Sequence, residues 1–114
     1  MDILEEIVAH KRVEVERLKK QLSEREIHSR VEALMATPEG SLVPSMKKAI
    51  KESSTGIISE FKRKSPSKGW IKEEGKAGVI PLSYQQNGAS AISILTDYEY
   101  FGGKDEFIVE ARKS

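Results

Sequence analysis

Ile57-Ile58-Ser59-Glu60-Phe61-Lys62-Arg63-Lys64-Ser65-Pro66-Ser67-Lys68-Gly69 is the stretch from which the architecture of the chain is read. Its first five residues are rich in β-formers, and the remainder carries Pro66, Gly69 and two serines, so the pattern is a short strand running into a loop. Downstream, Pro81 suits the first turn of a helix through Leu82, Tyr84 and Gln86, and Asn87-Gly88 supplies its stop. Ala89 to Thr96 then reads as a second strand. Its near-continuous small and apolar composition predicts burial on both faces, as in a parallel sheet covered by helices. Asp97 to Gly103 reads as a loop, and Lys104 to Lys113 as a helix carrying Phe107, Ile108 and Ala111. Strand, helix, strand, helix is an α/β order.

Upstream of Thr55-Gly56 the period changes to that of helices. Leu4, Ile7, Val8, Lys11, Val15, Leu18 and Leu22 recur at three- and four-residue spacings, with acids early and bases late, as the helix dipole prefers. Asp2 is the expected N-cap. Ser23-Glu24-Arg25-Glu26 matches a capping box for a second helix, whose stripe of Ile27, Val31, Leu34 and Met35 stops at Pro38 and Gly40. A third short helix is expected from Ser45 to about Lys51, capped by Ser45 and carrying Met46, Ala49 and Ile50 inward. The heptads are too short and irregular for a coiled coil.

Composition excludes several function classes. The 114 residues suit one modest domain. Lys and Arg number 19 against 18 Asp and Glu, so no global field draws the chain to nucleic acid or an anionic membrane. There is no cysteine, which removes disulfides, thiolate nucleophiles and Cys-ligated zinc. No apolar run approaches the ~20 residues of a membrane span, and the acidic start Met1-Asp2-Ile3-Leu4-Glu5-Glu6 does not read as a secretion signal.

In a strand alternate side chains share a face, so Ile58, Glu60 and Lys62 point one way and Ile57, Ser59 and Phe61 the other. A carboxylate and an ammonium thus meet at the strand's C-terminal end, where parallel α/β folds gather catalytic groups. Held together, both stay ionised and poise a site for proton transfer; the competing reading is a surface ion pair worth well under ~1 kcal/mol. The loop from Arg63 to Gly69 offers cations, hydroxyls and backbone amides that suit a phosphate or carboxylate, and equally fits a solvated basic turn. Leu95-Thr96-Asp97 and Phe101-Gly102-Gly103 add a hydroxyl, a carboxylate and an aromatic beside a flexible turn, with ordinary packing the simpler reading of Phe101. His10 and His28 lie in helical segments without a second ligand at metal spacing and read as surface residues. Trp70, Tyr84, Tyr98 and Tyr100 do not interleave with bases as a nucleic-acid stacking platform would.

The opening stretch, followed by Asn87-Gly88-Ala89-Ser90-Ala91-Ile92-Ser93-Ile94-Leu95-Thr96-Asp97 and Tyr100-Phe101-Gly102-Gly103, closely resembles the indole-3-glycerol phosphate synthase family. The Ile3-Leu4-Glu5-Glu6-Ile7 and Lys11-Arg12 pattern resembles that family's N-terminal extension. The resemblance implies a TIM (β/α)8 barrel preceded by extra helices. It also implies a cytoplasmic carboxy-lyase of tryptophan biosynthesis that closes the ring of 1-(2-carboxyphenylamino)-1-deoxyribulose 5-phosphate with loss of carbon dioxide and water, using no redox cofactor or metal. By the same resemblance Glu60 is the first-strand carboxylate assisting proton transfer in the dehydration. Lys62 is the lysine that orients the substrate carboxylate or donates a proton. Ser65 lies with its loop against the substrate, and Leu95, Thr96 and Phe101 line the pocket near the anthranilate ring.

A complete barrel of this kind takes ~250 residues. The expectation is therefore a helical extension over 1–55 and the first two βα units of an incomplete barrel over 56–114. The family's third-strand general-acid lysine, in a Lys-Asp-Phe type motif, falls beyond Ala111-Arg112-Lys113-Ser114. Such a segment is expected to be inactive alone and, with both edges of a two-stranded sheet unpaired, to self-associate. Its expected partner is a phosphorylated small-molecule substrate, with neither nucleic acid nor membrane. Two other readings stand beside this one: a non-catalytic βα module that binds a phosphorylated ligand through Lys62 to Gly69, and a helical interaction domain built on residues 2–51.

Overall fold

A computed structural model describes residues 2–113, and the chain divides into two compact units at Pro44 and Ser45. In the first, α1 (Ile3–Gln21) begins at Asp2, whose Oδ1 accepts the Glu5 N–H at 2.8 Å. α2 (Glu24–Met35) begins at Ser23, whose hydroxyl accepts the Glu26 N–H at 3.1 Å. That is half of the expected capping box. The Glu26 carboxylate turns forward instead, to Arg30 Nε at 3.4 Å, where an i,i+4 cation is a stronger partner than a neutral backbone N–H. The stop at Pro38 and Gly40 takes the form of a 3₁₀ turn, Pro38–Leu42. Gly40 is buried there, and a Cβ on it would lie 2.6 Å from the Leu34 carbonyl oxygen and 2.7 Å from Met35 Cα. No residue of α1 or α2 is buried, and Ile7 of the α1 stripe is half-buried.

The second unit opens with α3 (Met46–Glu52), whose cap is Ser45, its hydroxyl accepting the Lys48 N–H at 3.1 Å. Of the three side chains expected to turn inward only Ile50 is half-buried; Met46 is 52% exposed and Ala49 is exposed, because seven residues present a narrow stripe. Thus α3 groups with the strands, while the change of hydrophobic period comes later, at Thr55-Gly56.

β1 (Ile58–Phe61) is followed by two short strands, β2 (Lys64–Ser65) and β3 (Gly69–Trp70), which form an antiparallel hairpin where the composition predicts only loop. The turn between them needs Gly69, at φ +65°, a conformation other residues rarely adopt. α4 (Ile80–Gln86) carries Pro81 in its first turn and ends at Asn87-Gly88 as expected, with Gly88 at φ +107°. β4 (Ala91–Ile94) then pairs parallel to β1, with Ile58 opposite Ala91, Ser59 opposite Ile92, Glu60 opposite Ser93 and Phe61 opposite Ile94. α5 (Tyr98–Phe101), a single turn inside the segment read as loop, precedes α6 (Glu106–Lys113). The fold is α/β with a small parallel sheet, and two strands do not close a barrel.

The core sits on one face of that sheet. Phe61 is 2% exposed and meets Phe107 of α6 edge to face, centroids 5.8 Å apart at 72°. Ala77 is fully buried beside them, and Ile80, Tyr84 and Ile94 pack around the cluster. Helices thus cover the face of Phe61 and Ile94, leaving Ile58 and Glu60, of opposite parity, exposed. Every residue of β4 is half-buried, less than the burial on both faces that its composition predicts, with α3 and α4 both in contact with it.

At the opposite end of the strands, hydroxyls close the sheet. Ser53 Oγ accepts from the N–H groups of Thr55 (3.1 Å) and Gly56 (3.2 Å), and it also hydrogen-bonds with Ser90 Oγ. Thr55 Oγ1 donates to the Gly88 carbonyl at 2.6 Å. Among the described residues no helix is long and apolar enough to cross a membrane.

Candidate active site

Strand alternation puts Glu60 and Lys62 on one side of β1, and the parallel register adds Ser93 from β4. Lys62 Nζ lies 3.6 Å from Glu60 Oε2, and Ser93 Oγ donates to Glu60 Oε1 at 3.3 Å. All three stand toward the C-terminal ends of the strands, on the face of the sheet opposite the Phe61–Phe107 core. The Lys62 and Glu60 side chains keep 37% and 47% of their exposure, so the pair contributes roughly 0–1 kcal/mol to stability. Its effect is on placement: two opposite charges and a hydroxyl converge on one patch, an arrangement that can offer an ammonium to an anion and a carboxylate to a proton.

The loop after β1 is more built than its composition implies. Arg63 donates from Nε and one terminal nitrogen to the Gly102 carbonyl at 3.0 and 2.6 Å, and from the other to the Glu73 carbonyl at 2.9 Å. Its guanidinium also lies 5.3 Å from the Trp70 ring centroid and 4.9 Å from that of Phe107. The Arg63 carbonyl accepts the Ile71 and Lys72 N–H groups at 2.7 and 3.0 Å. Lys64 Nζ is 5.4 Å from the Trp70 ring and 3.5 Å from the Glu99 carbonyl. Arg63 and Lys64 therefore tie the hairpin to the segment after β4. Both cations are engaged within the fold, which neither of the two sequence readings, an anion-binding loop or a solvated basic turn, includes.

The other candidate residues fall at the same end of the sheet. Ser65 is buried at 8% exposure, its hydroxyl accepting the Lys68 N–H at 3.2 Å within the hairpin turn. Leu95 and Thr96 follow β4 directly and are half-buried; the Leu95 N–H donates to the Phe61 carbonyl at 3.1 Å and extends the pairing. Phe101, half-buried, ends α5, which Asp97 starts by accepting the Tyr100 N–H at 2.8 Å. Gly102 then takes φ +61°, and a Cβ on it would lie 2.8 Å from Trp70 Cζ3. At Gly103 a Cβ would collide with the Leu95 carbonyl. The structure joins Glu60 to Lys62 directly, and Leu95 and Thr96 continue the chain from the end of β4. Ser65 and Phe101 belong to the two flanking loops, where α5 packs against β2.

Sequence reasoning missed Ser93 and Trp70 as members of this arrangement, and placed Arg63 in the loop without its backbone partners. A lone hydroxyl between Ile92 and Ile94 was the available signal for Ser93, but its facing Glu60 depends on a register that sequence does not reveal. Of the histidines, His28 is exposed as expected, whereas His10 is half-buried with Nδ1 3.7 Å from Glu14 Oε2.

The family model described as indole-3-glycerol phosphate synthase matches residues 4–114, which includes both compact units. The chain belongs to the indole-3-glycerol phosphate synthase family. A relative from Bacteroides thetaiotaomicron that bears the synthase name is 47% identical over 111 residues, covering 97% of this chain and 40% of the relative. The Thermoanaerobacter pseudethanolicus synthase is 39% identical over 111 residues, with 97% and 40% covered. That of Acidithiobacillus ferrooxidans is 36% identical over 113 residues, with 99% and 42% covered. The chain thus spans about two fifths of the length of the synthases it matches.

Proposed function

We propose that this chain supplies the first two βα units, and the first-strand acid–base pair, of an indole-3-glycerol phosphate synthase acting in the cytoplasm. The reaction closes the ring of 1-(2-carboxyphenylamino)-1-deoxyribulose 5-phosphate. One carbon–carbon bond forms, the carboxyl group leaves as carbon dioxide, and the ribulose carbonyl oxygen leaves as water. Loss of that oxygen needs a proton donor, and forming the indole needs a base to take the last proton. Lys62 orients the substrate carboxylate and supplies a proton; Glu60 is the base. Leu95, Thr96 and Phe101 line the aromatic end of the pocket, and Ser65 holds its loop against the substrate.

The observation that carries this reading is the approach of Lys62 Nζ to Glu60 Oε2, 3.6 Å, at the C-terminal end of β1. Membership of the synthase family supports it. The reading as a free-standing phosphate-binding module is weakened by the internal engagement of Arg63 and Lys64. A closed barrel takes eight strands and ~250 residues, so the proposal gives these 114 residues part of a site and no turnover of their own. It also has them self-associate through the outer edges of β1 and β4, which lack a strand partner among the described residues.

The test is to give the purified 114-residue chain the substrate and follow indole emission, with a longer synthase polypeptide carrying the same residues as the positive control. Turnover by the longer polypeptide alone is expected. Ring closure by the 114 residues would overturn the incomplete site, and inactivity of both would overturn the synthase reading.

A further inference from the structure

We infer that Ser93 is a positioning residue for the Glu60 carboxylate, an inference that rests on the role given to Glu60 above. Glutamate carries three rotatable side-chain bonds, and Glu60 stands near a strand end with 47% of its side chain exposed, so packing alone does not choose its conformation. Serine has a single heavy-atom torsion, and Ser93 sits directly across the ladder from Glu60 on the neighbouring strand. Its Oγ reaches Glu60 Oε1 at 3.3 Å while Lys62 Nζ lies 3.6 Å from Oε2.

The two carboxylate oxygens are thereby made unequal: one is held by a neutral hydroxyl on β4, the other lies beside an ammonium at the end of β1. A proton arriving at Glu60 meets an oxygen whose direction is set by the sheet. The other β1 and β4 residues of the same parity, Ile58 and Ala91, are apolar and offer no substitute donor. Ser93 needs no contact with substrate for this; it acts through Glu60.

The experiment uses the full-length synthase carrying this segment and compares Ser93→Ala, Ser93→Thr and Glu60→Gln, with Ser93→Ala repeated in the Glu60→Gln background. A hydrogen bond to a charged group sets the scale, so Ser93→Ala should lower kcat about tenfold with KM nearly unchanged. Ser93→Thr, which keeps the hydroxyl and suits a strand, should recover most of that loss. In the Glu60→Gln background Ser93→Ala should change little, since the group it positions is already gone. Wild-type kcat in Ser93→Ala beside an impaired Glu60→Gln would overturn the inference, as would equal losses in the Ala and Thr variants, or a Ser93→Ala loss that is the same in both backgrounds. A fully active Glu60→Gln enzyme would instead overturn the role of Glu60, and this inference with it.

Discussion

Replacing Arg63 by Lys keeps the charge and removes the fork, which isolates what the guanidinium does. Three of its N–H groups are spent on backbone carbonyls, two on Gly102 and one on Glu73, and its plane is flanked by Trp70 and Phe107. Gly102 is buried, and a buried carbonyl stripped of its donors costs about 1–3 kcal/mol. Each partly exposed cation–ring contact adds about 0.5–1 kcal/mol. An ammonium keeps one of the three hydrogen bonds and none of the planar stacking. The loss is then about 2 kcal/mol for Arg63→Lys and about 3 kcal/mol for Arg63→Ala. At ~4–8 °C per kcal/mol for a unit of this size, Tm falls on the order of 10 °C for Lys and further for Ala. The chain has one tryptophan, Trp70, and its ring lies 5.3 Å from the guanidinium carbon, so its emission reports the clamp directly. Thermal unfolding should be followed by that emission and by far-ultraviolet circular dichroism. A Tm for Arg63→Lys within about 2 °C of the parent would refute the clamp and return the loop to a solvated basic turn.

Three further outcomes follow from other parts of the chain. Phe61→Ala should cost about 3–5 kcal/mol in urea unfolding and Phe61→Leu less than half as much; equal, small effects would show that the Phe61–Phe107 cluster is not the core. Thr55→Val removes the donor to the Gly88 carbonyl and should cost about 1–2 kcal/mol, with faster hydrogen exchange at the Ser90 amide, which bonds the Ile57 carbonyl at 2.8 Å; unchanged exchange would count against a hydroxyl closure of the sheet. Lys19 is held above its ordinary pKa of 10.5 by a hydrogen bond to Glu24, then by the charges of Glu24 and Glu16. A raised native pKa means that the contribution is fully present below 10.5 and is lost as pH rises through the higher native value. Glu24→Gln should bring the Lys19 titration, read by carbon NMR at Cε, back toward 10.5, and an unmoved midpoint would contradict the pair.

What sequence made legible follows physical range. Caps and stops are local, so Asp2, Ser23, Ser45, Pro81 and Asn87-Gly88 were readable from neighbours within a turn. The shared face of Glu60 and Lys62 follows from the two-residue period of a strand and needs no partner. Ser93 was out of reach because the pairing of β1 with β4 is set across some thirty intervening residues, by packing of Phe61 and Ile94 under the helices. The β2–β3 hairpin was missed for a different reason: its strands are only two residues each, too short for an alternation to show, and Pro66 and Gly69 in and beside its turn carry the composition of a loop. α5 was read as loop because Asp97 and Gly102-Gly103 mark turns, and they do, but the four residues between close one capped helical turn.

The proposed role of Glu60 and Lys62, at the C-terminal end of β1, is first-strand proton chemistry for indole-3-glycerol phosphate formation. Its most direct test is kcat for ring closure by the full-length synthase bearing Glu60→Gln or Lys62→Ala, followed by indole emission at saturating substrate, with unfolding curves matched to the parent. Losses of about a hundredfold or more in each, with the fold retained, are predicted. Near-parental kcat in either variant would contradict the role assigned to that residue, and in both would leave the pair as an exposed ion pair and nothing more.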